Sequence, residues 1–261
     1  MAKLVLLRHG QSLFNEQGRF TGWMDIDLSE RGKAEAAQAG WLMRCHGLSF
    51  DIAFSSSLKR AIRTMWIVLD EMDLMWTPAL PCWRLNERFY GDLQGKSIAE
   101  AEKVYGEQQV KKWRRGYNER PPAVTVDDDR YPGHDMRYKD VEDRFLPRAE
   151  SLRDTEERIV PFWKALILPE IRKGRNVLVV SHGNCIRALV RYLDDTSEEE
   201  IEAVEIGTAR PLVYDLQMVD GDGEKMMSIS DRYYLSSGNG GSSGGVKAGV
   251  KKRMERCQSR N

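Results

Sequence analysis

Short runs of apolar and β-branched residues alternate along the chain with longer stretches of helical periodicity. The short runs predict strands over Lys3–Leu7, Phe50–Phe54, Asn176–Val180 and Leu212–Leu216. The periodic stretches predict helices over Lys33–Arg44, Leu58–Met72, Val110–Tyr117, Leu152–Arg172 and Asn184–Leu193. Strands and helices that alternate in this way are typical of an α/β fold, here a three-layer sandwich in which helices flank a mostly parallel central sheet.

Two segments depart from this pattern. Asn118–Pro147 is rich in proline, aspartate and other charged residues and shows little periodicity, which predicts an insertion near a functional site. Residues 236–261 begin with a Gly/Ser-rich run and hold six basic residues against one acidic residue. We therefore predict one catalytic domain over residues 1–235, followed by a flexible basic tail. Residues 246–261 would form either a loose lid over the site or a functionless extension.

Composition limits the classes of protein that remain. Of the 261 residues, 41% are hydrophobic and 31% are charged, and the formal net charge is zero. This balance argues against a nucleic-acid-binding protein, and no apolar run approaches the roughly 18 residues of a membrane span. The cysteines lack the spacing of a disulfide framework or a metal site, and the N-terminal apolar run is too short for a signal peptide. We therefore expect a cytoplasmic protein.

Two predicted strands end in the same dipeptide, His-Gly. One run leads into Arg8-His9-Gly10 and the other into Ser181-His182-Gly183. Ligands of parallel sheets bind at the carboxyl ends of the strands, so the two histidines are predicted to lie side by side. The alternative for a single histidine is a loop residue with satisfied hydrogen bonds. A pair of histidines favours chemistry, because an unprotonated imidazole can attack phosphorus.

Arginines accompany these histidines. Arg8 precedes the first histidine, and Arg60 follows another predicted strand. A transferring phosphoryl group spreads its charge over three oxygens, and the planar guanidinium can bind two of them at once. Taken singly, either arginine is typical of a solvated surface charge.

Several blocks extend this pattern along the chain: Arg8-His9-Gly10-Gln11-Ser12 with Asn15, Phe20–Trp23, Ser57–Thr64, Trp83–Gly91, Tyr105–Arg115, Glu150–Thr155 and Ser181–Asn184. Together they resemble the cofactor-dependent phosphoglycerate mutases of the histidine phosphatase superfamily. The resemblance spans roughly residues 3–217. The Arg-His-Gly signature alone is shared by the whole superfamily, whereas the Glu-Arg-x-Tyr-Gly and Trp-Arg-Arg blocks resemble the mutases.

The resemblance implies a glycolytic enzyme that interconverts 3-phosphoglycerate and 2-phosphoglycerate. His9 would be the nucleophile that carries the phosphoryl group, primed by 2,3-bisphosphoglycerate without any metal. Glu87 would act as general base and acid for the substrate hydroxyl. Arg8 and Arg60 would clamp the phosphoryl oxygens, and His182, protonated in the loaded site, would hydrogen-bond them.

Further residues would bind the substrate. Arg114 and Arg115 would receive its non-reacting anionic group, although adjacent arginines on a helix are usually solvated. The substrate-binding residues implied by the resemblance are Ser12, Asn15, Thr21, Gly22, Arg88, Tyr90, Arg114, Arg115, Gly183 and Asn184. Such mutases are often dimers or tetramers, so we expect a homodimer or homotetramer. We expect its binding partners to be small molecules, the phosphoglycerates, and neither nucleic acid nor a membrane.

The chain departs from the mutase pattern in places. A lysine commonly follows the Leu-Gln-Gly triplet by three residues, but Ile98 stands there and Lys96 follows Gly95 directly. We leave Ile98 out of the predicted site, and Lys96 either replaces that lysine or the contact is missing. Gly207–Pro211 replaces the usual Pro-Thr-Gly-x-Pro, so this loop is expected to differ in shape.

Three other functions compete with mutase. A phosphatase of the same superfamily would transfer the phosphoryl group from histidine to water. A bisphosphoglycerate synthase tends to carry glycine in place of Ser12 and to alter Thr21-Gly22, and this chain keeps the mutase residues. A catalytically inactive binding protein would have lost His9, Glu87 or His182, and all three are present.

Overall fold

A six-stranded sheet forms the centre of the described part of the protein. The computed structural model describes residues 1–220 and 225–236, so the predicted tail, apart from Ser236, lies outside the described residues. The strands are β1 (Ala2–Arg8), β2 (Ile52–Ser55), β3 (Ala79–Pro81), β4 (Val177–Ser181), β5 (Leu212–Asp220) and β6 (Lys225–Tyr234). Their order is β3-β2-β4-β1-β5-β6, in which β3, β2, β4 and β1 are parallel to one another and β5 pairs antiparallel with both β1 and β6.

The strands form where they do because apolar side chains cover both faces of the sheet. In β4, Val177 and Val179 face one hydrophobic cluster, while Leu178 and Val180 face another. All four are fully buried. Continuous apolar runs of this kind are typical of strands covered by helices on both sides.

Helices supply the two outer layers. They are α1 (Leu13–Glu16), α2 (Glu30–Cys45), α3 (Lys59–Glu71), α4 (Ile98–Tyr105), α5 (Glu107–Arg115), α6 (Leu152–Phe162), α7 (Leu168–Arg172), α8 (Gly183–Asp194) and α9 (Glu198–Ala203). Met43 of α2 and Met65 of α3 belong to one of the two clusters, whereas Ile159 of α6 and Ile186 of α8 belong to the other. The predicted three-layer α/β architecture is therefore confirmed.

The predicted helix Leu152–Arg172 is divided. A π-helical segment, Trp163–Ile167, separates α6 from α7. Pro161 lies just before it and has no N–H to continue the helical hydrogen bonds, which gives a physical reason for the local change in winding. The side chains of Trp163 and Ile167 nevertheless stay in the core.

The segment predicted as an insertion packs against the loops at the carboxyl edge of the sheet. It contains short 3-10 turns at Pro132–His134, Met136–Tyr138 and Asp143–Phe145. Its apolar residues Val124, Tyr138 and Leu146 form a small cluster with Trp23 and Phe89. The structure thus places it beside the segment that carries Glu87, near the candidate site.

Some elements differ from those predicted. The helix predicted over Val110–Tyr117 begins earlier, after Gly106, and ends at Arg115. The short helix α4 and strands β3 and β6 were not predicted. Among residues 1–220 and 225–236, no helix combines the length and apolar character needed to cross a membrane.

Candidate active site

Two histidines lie side by side at the carboxyl edge of the sheet. His9 follows β1 and His182 follows β4, and these strands pair in parallel with Arg8 opposite Ser181. The backbone N–H of His9 donates to the carbonyl of Ser181 over 2.9 Å. The imidazole centroids are 4.9 Å apart, and the ring planes meet at 62°. The sheet register therefore sets the distance between the two rings.

The hydrogen bonds of the His9 ring assign its tautomer. Its Nδ1 lies 2.6 Å from the carbonyl oxygen of Gly10, which can only accept, so Nδ1 carries the proton. The Arg60 Nε–H donates to Nε2 of His9 over 3.3 Å. Arg60 also donates to the carbonyls of Gly22 over 2.8 Å and of Met24 over 2.9 Å. The ring nitrogen that carries the lone pair is thus Nε2, and a fixed guanidinium lies beside it.

Burial and positive charge keep both imidazoles neutral. Burial, followed by the charges of Arg60 and Arg8, holds the pKa of His9 well below its ordinary value. Burial and Arg60 have the same effect on the pKa of His182. Burial lowers the pKa of Arg60 to about 10, so this guanidinium stays charged at neutral pH. A bound phosphoryl dianion would oppose these positive charges and favour a protonated His182, which stays a prediction.

Glu87 brings a carboxylate to the same edge of the sheet. Its Oε1 accepts the backbone N–H of Arg88 over 2.8 Å and that of Asn184, in the first turn of α8, over 3.1 Å. Within the described ranges, no hydrogen bond is made to its Oε2. The second oxygen is therefore available to a substrate hydroxyl, as a general base requires.

Buried polar contacts fix the loop that carries Glu87. Trp23 Nε1 donates to the Glu87 carbonyl over 2.6 Å, and Arg158 Nη2 donates to the same oxygen over 3.2 Å. Arg158 forms an ion pair with Glu150 over 2.8 Å, and both side chains are at least nine-tenths buried. Glu150 in turn accepts the backbone N–H of Phe89 over 2.8 Å. This buried pair positions the Glu87 loop.

A cavity of about 330 Å³ opens at this edge of the sheet. His9, His182 and Arg60 are buried and are not part of its lining surface. Many residues of the predicted site do line it: Arg8, Asn15, Thr21, Gly22, Glu87, Tyr90, Arg114, Arg115, Gly183 and Asn184. The fold thus brings to one cavity residues that are far apart in the sequence.

A second group of arginines lies at the C-terminal end of α5. Arg114 and Arg115 are its last residues, and both line the cavity. The carbonyl of Arg114 accepts from Arg88 Nη2, and that of Arg115 accepts from Arg187 Nη2, each over 2.8 Å. Arg88 and Arg187 are almost completely buried. Their positive charges offset the negative end of the helix, so that α5 can present cations to an anionic ligand.

Arg187 also lines the cavity and was not among the residues predicted from the sequence. Its Nη1 donates to Asn184 Oδ1 over 3.1 Å, and its Nη2 donates to the Ile201 carbonyl over 2.6 Å. Burial lowers its pKa to about 10. Helical spacing is the signal that could have identified Arg187 from the sequence. Arg187 lies four residues after Gly183 and three after Asn184, which places it on the same face of α8.

Other positions differ from the prediction. Ser12 does not line the cavity, and its hydroxyl accepts the backbone N–H of Asn15 over 3.2 Å at the start of α1. Lys96 also lies outside the lining and pairs with Asp92 over 2.7 Å. Ile98, which we left out of the predicted site, does line the cavity. The remaining unpredicted lining residues are Arg19, Phe20, Glu205, Ile206 and Gly207.

Two glycines are required by close approaches. A Cβ on Gly10 would lie 2.0 Å from the carbonyl oxygen of Gly32, so this glycine permits close packing against α2. Gly22 has a φ of +52°, and a Cβ there would lie 1.9 Å from Gln94 Oε1. Because the Gly22 carbonyl accepts from Arg60, this backbone geometry also positions the guanidinium beside His9.

Several buried polar atoms at this edge of the sheet, most of them N–H donors, have no hydrogen-bond partner among the described residues. They are Nε of Arg8, both ring nitrogens of His182, Oγ1 of Thr21, Nε of Arg187, and Nε and Nη1 of Arg88. An unsatisfied buried donor or acceptor costs about 1–3 kcal/mol. A group of donors with little acceptor capacity fits an anion rich in oxygen, such as a phosphoryl group.

No metal centre accompanies these residues in the described part of the chain. Within residues 1–220 and 225–236, no group of three or more His, Cys, Asp or Glu side chains could hold a metal ion. The positive charge of the candidate site comes from arginines. That activity requires no metal stays a prediction.

The match to a known family agrees with this geometry. The model of the histidine phosphatase superfamily, branch 1, matches residues 4–129 and 125–225. The chain belongs to this superfamily. The resemblance found in the sequence is therefore confirmed at the level of the superfamily and of its phosphoryl-transfer chemistry, while the particular reaction is a separate question.

Three solved structures have a similar fold, and two of them are named as phosphatases. The mycobacterial glucosyl-3-phosphoglycerate phosphatase complex with VO3 has a TM-score of 0.66 and 24% identity, covering 90% of this chain and 100% of that one. A putative alpha-ribazole-5'-P phosphatase from Escherichia coli has a TM-score of 0.59 and 21% identity, with coverage of 87% and 95%. Bacillus stearothermophilus YhfR has a TM-score of 0.64 and 19% identity, with coverage of 88% and 96%. These similarities establish the fold.

Proposed function

We propose that the protein is a phosphoglycerate mutase that interconverts 3-phosphoglycerate and 2-phosphoglycerate through phospho-His9, primed by 2,3-bisphosphoglycerate. One observation carries the proposal: a single cavity is lined by Arg8 and Glu87 and also by Arg114 and Arg115. A phosphoglycerate has two anionic groups, the phosphate and the carboxylate. The cavity supplies cations for both anionic groups, whereas a phosphate ester without a carboxylate needs only the cations that bind its phosphate.

The phosphoryl group would be transferred at Nε2 of His9. 2,3-Bisphosphoglycerate supplies the first phosphoryl group, and the unpartnered buried donors of Arg8 and His182 fit its oxygens. As the substrate hydroxyl attacks phospho-His9, the N–P bond breaks and Glu87 Oε2 takes the hydroxyl proton. In the second step, His9 Nε2 attacks the other phosphoryl group of the bound bisphosphoglycerate. The P–O bond breaks, and Glu87 returns the proton to the leaving oxygen. Atoms and charge balance over the two steps.

Fixed positive charge would stabilise the transition state. The Arg60 guanidinium lies beside Nε2 of His9 and is held by two backbone carbonyls, so it needs no reorganisation when charge develops on the phosphoryl oxygens. The N-terminus of α8 begins at Gly183, which lines the cavity and adds the positive end of a helix dipole.

A phosphatase is the second candidate. It is favoured by two solved structures of similar fold, which are named as a glucosyl-3-phosphoglycerate phosphatase and a putative alpha-ribazole-5'-P phosphatase. It is also favoured by Ile98, an apolar residue in the lining where the mutases carry a lysine. A bisphosphoglycerate synthase is a third possibility within the same chemistry. Each of these uses phospho-His9 and differs in what accepts the phosphoryl group.

We also propose that the enzyme acts in the cytoplasm as a homodimer or homotetramer. Trp66 and Trp76 are candidates for a subunit interface, because their side chains are 55% and 72% exposed. Sedimentation velocity of the full chain tests it, and a species of monomer mass at micromolar concentration would contradict it.

An enolase-coupled assay with 3-phosphoglycerate, in which enolase and its metal ion are added only after the first reaction has been stopped, separates the candidates. For a mutase, adding 2,3-bisphosphoglycerate should raise turnover strongly, and excess chelator should leave turnover unchanged, because arginines supply the charge. Release of inorganic phosphate is followed in parallel. Phosphate release that exceeds formation of 2-phosphoglycerate would favour the phosphatase, and loss of activity in chelator that manganese restores would contradict metal independence.

A further inference from the structure

A carboxylate of the protein is bound to one of the arginines of the cavity. Glu205 Oε1 accepts from Arg115 Nη2 over 2.7 Å, and both residues line the cavity. The Glu205 side chain is 76% exposed and that of Arg115 is 33% exposed, so the ion pair lies at the rim. This ion pair is separate from the hydrogen bonds that fix the Glu87 loop.

The backbone around Glu205 is anchored, which keeps its side chain within reach of the cavity. Its carbonyl accepts from the Tyr234 hydroxyl over 3.4 Å. The next carbonyl, that of Ile206, accepts from Arg8 Nη1 over 2.7 Å. The segment between α9 and β5 is thus tied to an arginine of the phosphoryl site on one side and to β6 on the other.

Glu205 is the carboxylate that an incoming anion would replace. Five arginines line the cavity, against two carboxylates among the described lining residues: Arg8, Arg19, Arg114, Arg115, Arg187, Glu87 and Glu205. Glu87 is buried and its Oε1 is held by two backbone N–H groups. Glu205 instead presents to Arg115 the same functional group that the substrate carboxylate would present.

We propose that Glu205 determines specificity by competing with the second anionic group of the substrate for Arg115. This rests on the proposed function, in which Arg115 receives that group. A substrate with a carboxylate exchanges one Arg–carboxylate pair for another. Its binding free energy therefore gains only the difference in strength between the two ion pairs. An ester without a second anion leaves the pair of Arg115 and Glu205 in place. Glu205 therefore weakens binding of phosphoglycerates and leaves binding of simple phosphate esters unchanged.

Glu205→Gln tests the proposal, because it removes the charge and keeps the shape of the side chain. Glu202→Gln is the matched control: Glu202 is exposed on α9, lies outside the cavity lining and gives the same change in net charge. Binding of 3-phosphoglycerate and of glycerol 3-phosphate is measured by calorimetry at fixed ionic strength. This readout needs no turnover, so failure of the proposed reaction in the coupled assay is distinguishable from failure of this inference.

Glu205→Gln should lower the Kd for 3-phosphoglycerate about two- to five-fold, the range expected for loss of a partly exposed ion pair, and should leave the Kd for glycerol 3-phosphate unchanged. Glu202→Gln should change neither. A raised Kd for 3-phosphoglycerate would mean that Glu205 holds Arg115 in its binding position and would overturn the proposal. An unchanged Kd, an equal shift for both ligands, or no binding of 3-phosphoglycerate to either protein would also overturn it.

Discussion

Arg60 donates its Nε–H to Nε2 of His9 over 3.3 Å, while its Nη1 and Nη2 are held by the carbonyls of Met24 and Gly22. The same guanidinium therefore lies beside the nitrogen that we propose as the nucleophile, where the phosphoryl oxygens would arrive. Since α3 carries Arg60 and β1 leads into His9, two different elements define this geometry.

Arg60→Lys should reduce formation of phospho-His9 by about 10²–10³-fold, because an ammonium cannot reproduce the fixed fork. Single-turnover phosphorylation followed by intact mass measures this rate. Arg63→Lys is the control, since Arg63 lies on the same helix and pairs with Asp27 over 2.8 Å outside the cavity lining. Equal rates for the two variants would remove Arg60 from the proposed mechanism.

Glu87→Gln should slow phosphoryl transfer to the substrate hydroxyl by about 10²–10⁴-fold, because the amide cannot take the proton. Phosphorylation of His9 by p-nitrophenyl phosphate should change much less, since its leaving group departs as an anion without needing a proton. Glu71→Gln, at an exposed site on α3, controls for the charge change. Equal losses with both phosphoryl donors would show that Glu87 has a positioning role.

The fold should lose stability as the pH falls, because both histidines are buried and their pKa values lie well below 6.5. Below the ordinary pKa the unfolded chain binds protons that the folded chain does not bind, so the free energy of unfolding decreases; above it these groups contribute no slope. Each group contributes at most about 1.4 kcal/mol per pH unit. Urea denaturation between about pH 7.5 and about pH 5.5 measures the slope. The variant His9→Gln/His182→Gln should show a shallower slope, and an identical slope would contradict the assignment.

Ala209→Gly should stabilise the protein by about 0.5–1 kcal/mol. Ala209 has a φ of +46°, in the left-handed region that favours glycine, at a position where the mutases usually carry glycine. Its N–H donates to the Arg8 carbonyl over 2.9 Å, so the conformation is held beside the site. Ala34→Gly, on the exposed face of α2, should instead destabilise by about 1 kcal/mol. Urea denaturation measures the free energy of unfolding of both variants. A lower value for Ala209→Gly than for the wild type would contradict backbone strain at this position.

The main sheet and the pair of histidines could be predicted because each depends on local sequence. The apolar runs before His9 and His182 define buried strands without any knowledge of their neighbours. The position of ligands at the carboxyl ends of parallel strands then places both rings at one edge. The α/β architecture follows from the same alternation of strand and helix.

Other features depend on contacts that the sequence does not show. β6 carries many polar side chains and is defined by its pairing with β5. The hydroxyl of Ser12 caps a short helix, and whether a serine caps or binds a ligand depends on the direction of the chain after it. In the sequence, Arg187 on α8 resembles a surface arginine. In the structure, the end of α5 packs against it, and its guanidinium donates to the carbonyls of Arg114 and Arg115.

The fate of the phosphoryl group on His9 tests the central claim most directly. The protein is loaded with 2,3-bisphosphoglycerate, its intact mass is measured, and it is then mixed with 3-phosphoglycerate or with buffer alone. We expect the wild type to gain the mass of one phosphoryl group and to lose it rapidly to 3-phosphoglycerate but slowly in buffer, while His9→Ala gains nothing. An adduct on His9→Ala, or release as inorganic phosphate at the same rate with and without 3-phosphoglycerate, would contradict the account.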